Sequence, residues 1–350
     1  MREFMRTWSL VLIVWVVTAV TLSSPAFGEE GTEEELEVGR WYNNFDTGIN
    51  LTQSAFSENW NGGGNSSLAW TAFFNGGMRK KFENSLLWAN SLRLRFGQTH
   101  TRRDRADGST GWDKPAKTED KIVFETLLLY EGGWVVEPYG SARWQSLFLD
   151  ENDPFGRDIV INPNTFRESI GAAKHLMQHS EEEIVLVRLG ATARQNHRRY
   201  FIDPVSDETD ASTAFDGGLE LQLDWRLKLF DGKLAWRGKI DVYDPFWWSE
   251  ASTFDEVSAD SLVAGGIDAD VKSFTTAVDV AWENTFTTQI TKWVAFNIYV
   301  EFVYDKYDNS VVPIVESGNL TNPAQVSEAI RTSLQWKQTF GIGVTINFQS

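Results

Sequence analysis

The residues of this sequence that could do chemistry are charged side chains placed at every second position. In the stretch "LELQLDWRLKLFDGKLAWRGKIDVYD", residues 219–244, Leu and Trp hold one set of alternate positions and charged residues hold the other. Side chains of a β-strand point to opposite faces in turn, so the stretch predicts a hairpin that turns at "FDGK". One face of this hairpin is apolar and the other is charged.

The same alternation in other segments gives a set of candidate charges for the interior of a barrel. They are Arg93, Arg95, Arg143, Arg188, Arg194, Glu220, Asp224, Arg226, Arg237, Lys239, Asp241, Asp279, Glu283 and Glu301. In a ring of about twelve strands, the fourth and fifth lie opposite the tenth and eleventh, so arginines are expected to face carboxylates across the interior. Such charges either line a wet lumen that selects polar or zwitterionic solutes, or fill a narrow barrel with salt bridges. The sequence leaves both interpretations open.

Other chemistries find little support. His175 and His179 have a spacing that could hold zinc, but neither a third ligand nor a general base accompanies them. No nucleophile motif is visible, and the acidic stretches "LDENDPFGRD" and "ADSLVAGGIDAD" lack the ligand spacing of a calcium loop. Three glycines, Gly62 to Gly64, favour a tight turn over a phosphate site, because no helix follows them. We therefore expect no catalytic residue, no metal and no cofactor.

Composition narrows the class of protein. The chain has 350 residues, of which 42% are hydrophobic and 13% aromatic, and it contains no Cys. Neither a disulfide framework nor a thiolate metal site is possible. A formal net charge of -17 argues against nucleic acid as a partner, since binding phosphates requires clustered Lys and Arg.

The N-terminus predicts export. Residues 1–28 combine Arg2 and Arg6, an apolar run and a small-residue cleavage site, which is typical of a secretory signal peptide. Residues 29–40 form an acidic segment with almost nothing to bury, so we expect a disordered periplasmic tail. Residues 41–350 are then the folded part of an exported protein.

Twelve segments of this folded part have strand periodicity and none has a convincing helical period. We place the strands near 42–52, 66–77, 85–98, 120–131, 134–147, 168–177, 184–195, 217–229, 234–244, 272–284, 293–305 and 331–348. Long polar connections follow the odd strands, and mostly short ones follow the even strands. This pattern is typical of an antiparallel up-and-down transmembrane β-barrel, with short periplasmic turns and longer external loops.

Aromatic residues give a second indication. Trp88, Trp134, Trp236 and Trp293 lie near short turns, and Tyr243, Phe246, Trp247, Trp248, Tyr304 and Tyr307 lie near long loops. Rings at both ends of apolar bands predict two interfacial girdles. The last strand looks like the C-terminal insertion signal of bacterial outer-membrane barrels, although Gln349 and Ser350 follow its final Phe348.

The segment "GINLTQSAFSENWNGGGNSSLAW", residues 48–70, resembles the start of an uncharacterised family of exported bacterial outer-membrane β-barrel proteins. The family has a W-x-G-G-x-N-S segment after its first strand, and "KTED" at residues 117–120 also looks like the family. The residues that match the opening are Ser54, Phe56, Trp60, Gly62, Gly63, Asn65 and Ser66. The resemblance extends over most of the folded part, but only its first third is specific. It implies an outer-membrane barrel and supplies no established activity.

Loop lengths and outward aromatics favour the outer membrane over a soluble β-sandwich or barrel with buried apolar faces. We expect a passive channel for small polar solutes or ions, with lipid and a small polar solute as partners. The alternatives are a closed structural or adhesive barrel that works through its long loops, and an interfacial lipid enzyme. The oligomeric state is left open.

Overall fold

The computed structural model describes residues 36–55, 66–104, 109–153, 155–180, 183–291 and 293–349. Twelve antiparallel strands pair in sequence order, and the first also pairs with the last, so the sheet closes into an up-and-down barrel. The predicted fold class is confirmed. The strands are β1 (Trp41–Ser54), β2 (Ser67–Lys81), β3 (Leu86–Asp104), β4 (Ala116–Tyr130), β5 (Glu137–Ser146), β6 (Asn164–Ser180), β7 (Glu183–Phe201), β8 (Thr209–Leu229), β9 (Leu234–Trp248), β10 (Asp279–Gln289), β11 (Val294–Tyr304) and β12 (Gln335–Gln349).

Closure is made by β1, which has partners on both sides. Thr47 lies opposite Phe74 of β2 and opposite Ile346 of β12. Closing the ring leaves no unpaired edge on the sheet, so the backbone groups of the strands are satisfied within the barrel.

The connections alternate in length as predicted, which defines a short-turn end and a long-loop end. The β8 to β9 turn has four residues between the paired Leu229 and Leu234, and three of them, Phe230, Asp231 and Gly232, have positive φ angles. The loop at 202–208 is the shortest of the odd-strand loops. Strand β10 begins at Asp279, later than the predicted 272, because residues 271–273 form a 3-10 helix within the preceding loop.

The outer face of the barrel is apolar. Ile170, Leu51 and Trp336 are 71%, 60% and 67% exposed on outward positions. The described barrel thus has apolar side chains on its outer face, whereas a soluble barrel buries them inside. Trp134, Trp293, Phe246 and Trp247 are exposed at the two ends, as an interfacial girdle requires.

Three aromatics of the predicted girdles do not face outward. Tyr243 is fully buried because it shares the inward positions of β9 with Asp241. Trp248 and Tyr307 are buried together with Phe254, and their rings are in contact. The prediction that these three residues lie in a girdle is wrong.

Two long loops, 249–278 and 305–334, cover the long-loop end and share a hydrophobic core. They contain the short helices α1 (Ala259–Ala264) and α2 (Pro323–Ala329). Their shared core includes Phe254, Val271, Tyr307 and Val326. We call these two loops the cap. No helix in the described part of the chain is both long and apolar enough to cross a membrane.

The short-turn end has a smaller apolar cluster inside the barrel. Leu127 and Leu129 of β4 pack there with Leu87, Leu186 and Leu36. Leu36 belongs to the predicted tail, yet it is only 8% exposed, so the expectation that this segment buries almost nothing does not hold for Leu36. The predicted signal peptide and residues 29–35 of the predicted tail lie outside the described residues.

Candidate functional site

Charged side chains meet inside the barrel because they hold the inward positions of strands that lie far apart in the ring. Arg93 of β3 donates to Glu283 of β10 over 3.0 Å. Lys121 of β4 lies 2.5 Å from Glu283 and 3.0 Å from Glu301 of β11. These strands are not neighbours in the sheet, so the ion pairs cross the interior.

The same network continues to β12. Lys337 lies 3.0 Å from Glu301 and 3.1 Å from Glu119 of β4. Thr339 donates to Glu119 over 3.1 Å. We call this set of side chains, which joins β3 and β4 to β10, β11 and β12, the first network.

A second network joins the strands from β4 to β9. Glu125 is its centre, with Arg188 at 2.6 Å, Lys239 at 3.2 Å and Arg143 at 3.4 Å. Arg143 also donates to Asp241 over 2.6 Å. All of these side chains are 11% exposed or less, so the second network fills its part of the interior.

Glu220 extends the second network towards β6 and β7. It accepts hydrogen bonds from Ser169 at 2.8 Å and Thr192 at 3.3 Å, and Arg167 lies 3.3 Å from it. Its side chain is 2% exposed. A carboxylate buried this deeply requires such a set of donors.

A third group lies nearer the long-loop end. Arg194 is 2.8 Å from Asp216 and 2.9 Å from Asp279, and the Tyr243 hydroxyl donates to Asp216 over 2.6 Å. This guanidinium therefore has a carboxylate on each side.

The remaining sequence-predicted charges also lie on inward positions. Asp224 pairs with Arg188 at 2.9 Å, and Arg237 lies 3.5 Å from Asp46. The Arg95 guanidinium lies 3.9 Å from the centre of the Tyr299 ring. Arg226 is half-buried on β8. The structure thus brings eleven of the fourteen candidates into the three groups, with Arg95, Arg226 and Arg237 outside them.

Several members of these groups were missing from the candidate set: Glu119, Lys121, Glu125, Arg167, Asp216 and Lys337. The first three share one set of alternate positions in "EDKIVFET", so the period of β4 was a sufficient signal. Asp216 was missed because β8 begins before the predicted start at 217. Arg167 was missed for the same reason on β6, which begins before the predicted 168.

The two histidines give no metal centre. His175 lies 3.6 Å from Glu137, and the described residues contain no group of three or more His, Asp or Glu side chains placed to hold a metal ion. Of the residues that carry the family resemblance, Ser54 and Ser66 are described; Phe56, Trp60, Gly62, Gly63 and Asn65 lie outside the described residues, as does Gly64.

A cavity of about 430 Å³ lies between the networks and the cap. Its floor includes Arg93 and Lys121, and its walls include Arg194 and Arg198. The residues that line its upper part are Asp305, Asp308, Asn309, Ser310 and Arg331. Among the described residues, nine Lys or Arg and seven Asp or Glu line it, although the whole chain carries -17.

Two carboxyls at the top of the cavity differ in pKa. Burial, together with the charges of Asp279 and Asp308, holds the pKa of Asp305 well above its ordinary value. The pKa of Asp308 is lowered, despite its burial, because Arg198 and Arg331 lie near it and Ser310 donates to it. Asp308 is therefore the more readily ionised of the two.

The chain is similar to one family model and to several solved structures. The model of the family described as Protein of unknown function (DUF3078) matches residues 51–151, from the end of β1 to just past β5. The predicted resemblance to a family of unknown function is confirmed over this range. A search of curated proteins gives no match.

Several solved structures are similar at low identity. An outer membrane channel from Pseudomonas putida F1 is 10% identical with a TM-score of 0.33, over 93% of this chain and 100% of that one. The translocator domain of autotransporter NalP from Neisseria meningitidis is 10% identical with a TM-score of 0.32, over 97% and 95%. Salmonella typhi OmpF is 9% identical with a TM-score of 0.21, over 88% and 97%. Similarity this low carries no argument about what this chain does.

Proposed function

We propose that the protein is an outer-membrane β-barrel that acts as a passive channel for small polar solutes. Its location is supported by the outer wall, where exposed side chains such as Leu51, Ile170 and Ile342 form an apolar surface on a closed barrel. A continuous apolar wall of this kind is stable against lipid and unfavourable in water. The predicted signal peptide supports export.

The observation that carries the channel proposal is accessible polar space on both sides of the cross-barrel ion pairs. The cavity lies on the side of the cap. Towards the short turns, Arg237 and Asp46 point inward and their side chains are still 46% and 20% exposed. The ion pairs between these two spaces form a constriction whose walls carry both signs of charge.

A constriction of this kind favours small polar solutes. Arg93 and Lys121 contribute positive charge on one side, and Glu283 and Glu301 contribute negative charge on the other. Opposed charges of this kind set up a field across the path, which favours polar molecules over apolar ones of equal size.

A closed barrel that works through its loops is the second candidate. The cap supports it, because Phe254, Val271 and Val326 give two loops a shared core and hence a defined outer surface. In that case the charged networks serve as filling, and the cap is the surface that meets a partner.

Single-channel recording separates the two candidates. Residues 29–350 would be refolded, checked for barrel formation by heat-dependent electrophoretic migration, and inserted into a planar bilayer under a salt gradient. We expect discrete current steps. Arg93→Gln should move the reversal potential towards cation selectivity and Glu301→Gln towards anion selectivity, because each removes one sign of charge from the constriction.

Arg103→Gln is the matched control, since its side chain is 64% exposed and pairs with Asp113 on the loop that follows β3. It should leave the reversal potential unchanged. A folded barrel that gives no current, or reversal potentials that are identical in all variants, would reject the channel and support the closed barrel.

A further inference from the structure

Arg198 is a nearly buried cation that lacks protein hydrogen bonds. Its side chain, on an inward position of β7, is 12% exposed and lines the cavity. Its nearest carboxylate oxygens are those of Asp150 at 3.5 Å and Asp308 at 3.9 Å. Within the described part of the chain its guanidinium donates no hydrogen bond, and its Nε is buried without a partner.

Asp150, the carboxylate nearest to Arg198, already has a hydrogen-bond partner within the protein. Asp150 Oδ2 accepts a hydrogen bond from Asn162 over 2.7 Å. A guanidinium carries five N–H donors, and leaving them unsatisfied in a buried place is unfavourable. Arg194, on the same strand, shows the contrast, because two carboxylates satisfy it.

Asp305 is the opposite case at the top of the same cavity. Its carboxylate accepts one hydrogen bond, from the backbone N–H of Tyr307 over 3.1 Å. In the described ranges no Lys or Arg lies within ion-pair distance of it, since Arg194 pairs with Asp279 and Arg331 lies 3.8 Å from Asp308. Burial and the like charges of Asp279 and Asp308 raise the pKa of Asp305, and Arg194 and Arg331 offset only part of this effect.

Within the described part of the chain, the cavity thus holds one guanidinium that donates no hydrogen bond and has only ion pairs of 3.5 Å or longer, and one carboxylate that has no ion pair. Its volume of about 430 Å³ lies within the roughly 300–1,000 Å³ usual for small-molecule sites. A simple anion would meet Asp305 and Asp308 there, and a simple cation would meet Arg198 and Arg331. A molecule that carries both charges satisfies both groups.

We propose that this cavity binds a small zwitterionic solute, with Arg198 holding its carboxylate and Asp305 holding its ammonium group. The proposal deepens the channel function and rests on it for the step in which the solute crosses the barrel. The site itself is a property of the cavity and can be tested without transport.

Isothermal titration calorimetry of the refolded protein in nonionic detergent, at low salt, provides that test. The probes are three molecules with four-carbon chains: 4-aminobutanoate as the zwitterion, succinate as the dianion and 1,4-diaminobutane as the dication. L-Glutamine is added as a zwitterion whose two charges lie closer together. Wild-type protein should bind at least one of the two zwitterions more tightly than either singly signed probe.

Variants of Arg198 and Asp305 test whether these two residues bind the zwitterion. Arg198→Gln should weaken zwitterion binding by roughly 10- to 100-fold, the range expected when a charged hydrogen bond is lost. The same variant should bind 1,4-diaminobutane better than wild type does. Asp305→Asn should also weaken zwitterion binding, and it should improve the binding of succinate.

The controls are Arg103→Gln, at the end of β3, and Asp207→Asn, on the 202–208 loop, whose side chains are 64% and 94% exposed. Both should bind as wild type does. The proposal is overturned if wild type binds neither zwitterion, or if Arg198→Gln and Asp305→Asn bind them as tightly as wild type. Binding without single-channel current would leave the site standing and reject transport, and current without zwitterion binding would reject only the site.

Discussion

Glu125 offers the sharpest test of whether the second network behaves as a buried structure. It lies among Arg188, Lys239 and Arg143, at 2.6, 3.2 and 3.4 Å. The side chains of Glu125 and Arg188 are 10% and 4% exposed, so little water is available to replace a missing charge. Glu125→Gln keeps the size of the side chain and removes its charge, which leaves three cations facing an amide.

The expected loss is set by the burial of these cations. Removing one partner of a buried ion pair costs about 3–5 kcal/mol, because the charge that remains is uncompensated. We expect the free energy of unfolding to fall by an amount in this range. A second substitution, Lys239→Gln, should recover part of the loss, since it removes one of the unbalanced cations and neighbouring sites couple by about 0.5–3 kcal/mol.

The assay is urea unfolding of the refolded barrel in lipid vesicles, followed by tryptophan fluorescence and shown to be reversible. Asp207→Asn is the control: it breaks an ion pair with Arg157 but is 94% exposed, so it should cost about 1 kcal/mol or less. If Glu125→Gln cost no more than this control, the interior would be solvated and its ion pairs would be screened. That result would refute the assignment of the second network as filling.

Two further predictions concern the ends of the barrel. Leu36→Ala removes an apolar contact from the cluster around Leu129, so it should raise single-channel conductance and speed proteolysis near residue 36. The control Val38→Ala, at a position 53% exposed, should do neither. Equal behaviour of the two variants would show that Leu36 does not restrict the short-turn end. Asp305 faces Asp279, Asp308, Arg194 and Arg331, and its raised pKa means that its contribution to stability is present at low pH and is lost as pH rises through that pKa. Asp305→Asn should therefore flatten the fall of the melting temperature as pH rises above about 4, the pKa of an unperturbed Asp; a wild-type slope in this variant would contradict this expectation.

Period-two alternation predicted most of the fold and much of the interior. It gave the twelve strands and the inward positions of Arg143, Arg188 and Asp241, because the face of a strand follows from parity alone. It could not give the pairs, since the carboxylate that each guanidinium meets depends on the stagger of strands around the ring. Leu36 had no local signal, because a single Leu in an acidic run acquires its partners only when the barrel closes.

The charged side chains that fill the barrel differ in their protein partners from those that border the cavity near the cap. In the second network, Glu125 and Arg188 are paired, buried and absent from the cavity wall, so their charges are used within the protein. Near the cap, Arg198 and Asp305 border the cavity; among the described residues Arg198 has only ion pairs of 3.5 Å or longer and donates no hydrogen bond, and Asp305 has no ion pair. Buried charges without hydrogen bonds or close ion pairs are unfavourable beside a cavity until a ligand supplies them, whereas those in a filled layer are already compensated. Substitutions at Glu125 should therefore change stability with little effect on zwitterion binding, and substitutions at Arg198 should do the reverse.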